Sequence, residues 1–176
     1  MARPYRESIP PRGGRAMLGG MTKNADTTNA LPASVRAATW AVRAAYLVVF
    51  VVNVQCAISF IVNPSGYAGA YELSGVPGEV AVQGIGVAFL MWNVTYPAVI
   101  ASPRRFRALG VVVLVQQAIG LVGESLILAG LPAGHDVLAA SIERFIAFDA
   151  FGLVVMAATF AVLLLVEHRS SSSRNV

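Results

Sequence analysis

The chain has 176 residues, of which 56% are apolar and 12% charged, with a formal net charge of +4. Soluble domains carry roughly 25% charged residues, which excludes a water-soluble enzyme, and a disordered chain would need low hydrophobicity. Most of the 13 basic residues sit in the N-terminal tail, in a run at Arg104, Arg105 and Arg107, and near the C-terminus. A nucleic-acid binder gathers them on one face with aromatics between, so no nucleic-acid partner is expected.

Residues 1–36 are rich in Pro, Gly, Arg and small polar residues and contain no continuous apolar run. The stretch reads as a disordered cytoplasmic tail, with no h-region for a cleaved signal peptide. Four apolar stretches follow, at about 40–62, 80–100, 109–131 and 142–166. Each has close to the roughly 20 residues that a helix needs to cross the hydrocarbon of a bilayer. Asn63-Pro64-Ser65-Gly66, Ser102-Pro103 and Leu131-Pro132-Ala133-Gly134 separate them, and such clusters break helices. The predicted fold is an all-α membrane protein, an antiparallel four-transmembrane-helix bundle over 37–168, with a short cytoplasmic tail at 169–176.

The connections set the expected orientation. Loops 63–79 and 132–141 carry no Lys or Arg, whereas 101–108 carries three arginines and basic residues flank both ends of the chain. By the positive-inside rule both termini face the cytoplasm of a multi-pass protein in the cell membrane. Its expected partners are the lipid bilayer and either further copies of itself or a membrane complex.

Polar residues inside the apolar runs are the candidate site. Ionisable groups in mid-membrane cost about 2.5–3.5 kcal/mol and face a partner or a wet cavity. Glu124 lies seven residues before Leu131 and Asp149 seven after Ile142, which predicts two carboxyls at one depth, roughly 10 Å below the outer helix ends. Arg144 is the only basic residue on that side and is the expected counter-ion for one of them. Asn53 belongs to the same half, and Asn93 with Gln116 and Gln117 forms a layer nearer the cytoplasm. Gln117 and Glu124 are seven apart and share a face. Helix-to-helix hydrogen bonding is the favoured account of the amides Asn53, Gln83, Asn93, Gln116 and Gln117. The carboxyls and Arg144 are equally compatible with fixing helix register, relaying a proton or binding a polar headgroup.

Small residues at Ala37, Ala41 and Ala45, Gly84 and Gly86, Gly120 and Gly123, and Ala157 and Ala161 mark close helix packing. Trp40, Tyr46, Tyr67, Tyr71 and Tyr96 are expected at the membrane interfaces, and Pro97 at a helix end or kink. Cys56 is the single cysteine, and the two histidines, His135 and His168, lie outside the apolar runs. No disulfide, haem, zinc site or other cofactor is expected.

The segments NPSGYAGAYELSG, VQGIGVAFLMWNV and PRRFRALG, and the layout over 40–166, resemble the DoxX-like group of small four-helix bacterial membrane proteins. That resemblance implies the four-helix architecture and an association with membrane redox, thiosulfate or quinone metabolism. Three functions stay open. One is a non-catalytic accessory or envelope protein. The second is a proton-linked or small-solute transporter or channel using Glu124 and Asp149. The third is a quinone- or lipid-binding subunit of a membrane oxidoreductase.

Overall fold

The computed structural model describes residues 31–172, and the expected tail over 1–30 and the last four residues lie outside them. Among the described residues the chain is helical throughout, without strands. Helix α1 spans Ala33–Val62, a short α2 spans Ser65–Ala68, α3 spans Gly75–Asn93 and α4 spans Tyr96–Ala101. Helix α5 spans Arg107–Ala129 and α6 spans Asp136–Ser172. Four helical units, with α3 and α4 forming one of them, are long and apolar enough to cross a membrane. They make a multi-pass, up-and-down bundle in which α1 packs on α3, α4 and α6, while α5 packs on α4 and α6.

The breakers act where expected, with local additions. Helix α1 stops at Asn63-Pro64, but the following residues form α2 and a 3-10 turn over Gly69–Tyr71, not an irregular loop. Glu72 then takes a left-handed conformation, φ 55°, which reverses the chain towards α3. Pro97 sits in the first turn of α4, where its missing N–H is tolerated, and separates α4 from α3. Two boundaries differ from the expected ones. Helix α1 begins at Ala33, so 33–36 are helical and not tail. Helix α6 begins at Asp136 and runs 37 residues, about 55 Å at the usual rise per residue, well past the expected 142–166.

For reference, the end of the bundle where α1 begins is basal and the opposite end apical. Two apolar clusters hold the helices together. The basal one joins Val42, Tyr46 and Val49 to Tyr96, Val113, Met156 and Phe160; the smaller apical one is built on Phe60, Ala68 and Val82. Tyr46 and Tyr96 are fully buried in the basal cluster, contrary to their expected place at an interface. Tyr46 donates its hydroxyl to the Gly110 carbonyl at 3.1 Å, which satisfies the polar end of an otherwise apolar ring. The buried stripe of α1 is Val35, Ala38, Val42, Ala45 and Val49. Its 3–4 spacing includes Ala45 of the expected alanine seam but leaves Ala37 and Ala41 on the exposed face.

Both ends are tied by charged contacts. At the basal end Glu167 of α6 accepts hydrogen bonds from Arg104 and Arg107, and Arg43 reaches from α1 to the Ala101 carbonyl at 2.7 Å. At the apical end His135 meets Glu72 across two connections.

Candidate functional site

Between the two apolar clusters lies a chamber of about 40 Å³. Its polar lining is Asn53 from α1, Asn93 from α3, Gln117 and Glu124 from α5, and Asp149 from α6; Phe89, Trp92, Gly120 and Phe145 complete it. Five of the six residues singled out from sequence therefore share one wall-to-wall space. Four helices contribute because each carries its polar residue on the inward face midway along an apolar run.

The hydrogen bonding within the chamber is uneven. Gln117, 2% exposed, donates from Nε2 to Asp149 Oδ1 at 2.6 Å and accepts the Tyr96 hydroxyl on Oε1 at 3.3 Å. Asn93, 4% exposed, donates to the Phe89 carbonyl at 2.7 Å, which leaves its Oδ1 buried without a partner. Glu124 Oε2 is likewise buried and unpartnered. Most buried polar groups in folded proteins are paired, with protein or water, so two orphaned acceptors in one cavity call for an occupant. The space admits a water-sized group, since roughly 10–15 Å³ of such volume is enough to hold one water.

The carboxyls are arranged differently from the sequence expectation. A Cβ placed on Gly120 would stand 2.7 Å from Asp149 Oδ2, so Asp149 sits at the level of Gln117 and Gly120. Glu124 lies one turn further towards the apical end. The expectation of one shared depth takes α6 to begin near Ile142, whereas it begins six residues earlier at Asp136, and Asp149 lies deeper than Glu124.

Arg144 does not pair with either carboxyl. Its Nη2 donates to Ser141 Oγ at 3.1 Å, and it lines a second cavity of about 490 Å³ on the apical side. Asn53 and Phe145 line both spaces, and Cys56, Phe60, Tyr67, Tyr71, Ser141 and Phe148 line this vestibule. Arg144 is one residue ahead of Phe145, and that offset turns it to the vestibule while Phe145 faces both cavities. The Tyr71 hydroxyl, on the connection above, is pushed up from its ordinary value by burial first, then by Cys56 and Glu124, with Arg144 opposing.

The aromatic lining and Gly120 were not recognised from sequence as parts of the site. Gly120 carried a usable signal, since it stands three residues after Gln117 and four before Glu124, on their helix face. Gln116 points away from the chamber and meets Thr95, whose hydroxyl donates to its Oε1 at 3.4 Å. No family profile, curated protein or solved structure matches this chain.

Proposed function

We propose that this multi-pass protein is a non-catalytic accessory component of the cell membrane that captures a small ligand in its intramembrane chamber. The observation that carries this reading is the pair of buried, unpartnered acceptors, Glu124 Oε2 and Asn93 Oδ1, facing one cavity. A core stabilised by packing alone has no reason to retain them, because an unsatisfied buried polar group costs about 1–3 kcal/mol. The vestibule, at about 490 Å³, lies within the size range of small-molecule sites. Both termini are taken as cytoplasmic, since Arg104, Arg105 and Arg107 lie at the basal end with the start of α1 and the end of α6. The layout is similar to that of DoxX-like proteins, and partnership with a membrane complex or a second copy fits an accessory role.

Mass spectrometry of small molecules retained by protein purified from native membranes tests the reading. A retained species that is lost from Glu124→Gln with the fold intact supports it. Equal retention by the two proteins counts against the chamber as the site. A second reading, proton-linked transport, draws on the stacking of Glu124 one turn above Asp149. Proton flux in vesicles that is abolished by either Glu124→Gln or Asp149→Asn would favour it over capture.

A further inference from the structure

The chamber's chemistry specifies its occupant further, given the reading that it is a ligand site. Its buried, unpartnered hydrogen-bonding atoms are both acceptors. Glu124 Oε2 and Asn93 Oδ1 are without partners, and Asp149 is bonded through Oδ1 alone. The chamber's strongest donor, the Gln117 amide, is already committed to Asp149. A ligand carbonyl, ether or phosphate would bring further acceptors to a wall that already has too many. A group with several N–H donors and a positive charge fits instead.

We propose that the chamber takes the primary ammonium group of a zwitterionic amphiphile, with the anionic group at Arg144 and the apolar remainder in the vestibule.

Four observations support the assignment. A chamber of about 40 Å³ admits –NH3+, which is close to water in size, whereas a trimethylammonium has no N–H to offer its free oxygens. An ammonium has three donors and no acceptor, matching the free oxygens. The rings of Phe89, Trp92 and Phe145 line the same space, and aromatic faces attract desolvated cations. The charges are also complementary. Glu124 and Asp149 face the chamber while Arg144 faces the adjoining vestibule, so acidic and basic groups stand apart in the order in which a zwitterion's ammonium and anionic group would meet them. Arg144 bonds Ser141 Oγ at the vestibule wall, where a guanidinium suits a phosphate or carboxylate.

The test uses full-length protein in detergent carrying Trp40→Phe, which leaves Trp92, in the chamber wall, as the only tryptophan. Its emission is followed during titration with octylamine, octyltrimethylammonium and octanol. Octylamine is expected to give a saturable change, with the other two binding roughly tenfold more weakly or not at all. Glu124→Gln is expected to weaken octylamine by a similar factor, and Asp149→Asn serves if that variant fails to fold. Competition by phosphatidylethanolamine vesicles, but not phosphatidylcholine, assigns the ammonium to a membrane lipid, and Arg144→Gln should reduce that competition while sparing octylamine. Octylamine binding without lipid competition assigns it to a soluble amino-amphiphile. If octanol or the trimethylammonium compound binds as well as octylamine, the ammonium assignment fails and the ligand chamber survives. If none of the three saturates, the chamber reading fails with it.

Discussion

Gln117 and Asp149 are joined across the α5–α6 interface by a 2.6 Å hydrogen bond, and the same Gln117 amide accepts the buried Tyr96 hydroxyl from α4. One side chain thus ties three helices at the floor of the chamber. Polar pairs between membrane helices average only about 0.6 kcal/mol, because the separated helices find other partners. Here two buried groups lose their partner at once. Gln117→Leu, which keeps the volume and removes the amide, should destabilise the bundle by about 1–3 kcal/mol. Denaturant unfolding in mixed micelles, followed by helix content, checks this. The double variant Gln117→Leu, Asp149→Leu should lose less than the sum of the two single changes, since it leaves no carboxyl stranded.

Glycines two residues apart on α3 should behave oppositely. A Cβ on Gly86 would lie 2.8 Å from the Ala57 carbonyl oxygen and 3.1 Å from Phe60 Cβ, whereas Gly84 has nothing within 4 Å. Backbone cannot rotate aside, so Gly86→Ala must push α1 and α3 apart, at a cost of about 1–3 kcal/mol. Gly84→Ala should be neutral or gain up to about 1 kcal/mol from helix propensity. Equal midpoints for the two variants would show that α1 and α3 do not approach as closely as described.

This pair also shows what the sequence could and could not convey. The four spans are legible because a continuous apolar run of bilayer length has few alternatives, and Gln117 and Glu124 share a face through helical spacing alone. The choice between Gly84 and Gly86 is not legible, because it depends on the rotation of α3 against α1. The depth of Asp149 was misjudged for a related reason. Residues 136–141 of α6 include Asp136 and Ser141 and so do not read as an apolar run, yet they are helical and shift where the chamber falls along the helix. The pairing of Arg144 was misjudged because two residues close in depth can still face different cavities.

The contact between Glu72 and His135 predicts a pH dependence at the apical end. Hydrogen bonding to His135 holds the Glu72 carboxyl below its ordinary value of 4.5. The sign follows from linkage. A carboxyl whose pKa is lower in the folded state contributes stability above its unfolded value, and loses it as pH falls through the folded one. Stability measured from pH 7 downwards should therefore decline more steeply below about pH 4.5 in the wild type than in His135→Gln. Parallel profiles would show that the two connections are not joined by this contact in solution.

Gly120→Ala offers the most direct probe of the chamber itself. The added methyl would stand 2.7 Å from Asp149 Oδ2 and 3.2 Å from the Trp92 ring. Both neighbours are side chains, so they can yield, and the gain in helix propensity of about 1 kcal/mol offsets much of the crowding. The fold should survive with a midpoint within about 1 kcal/mol of wild type. The space should shrink, because the methyl enters a cavity of about 40 Å³ that Gly120 lines. In the Trp40→Phe background, the Trp92 emission maximum should move and any retained ligand should be lost. Gly123→Ala, on the same helix with nothing within 4 Å of the added atom, should leave both unchanged. A stable Gly120→Ala protein that keeps its ligand would place the binding site elsewhere, since the added methyl projects towards Asp149 Oδ2 and the Trp92 ring in the chamber wall.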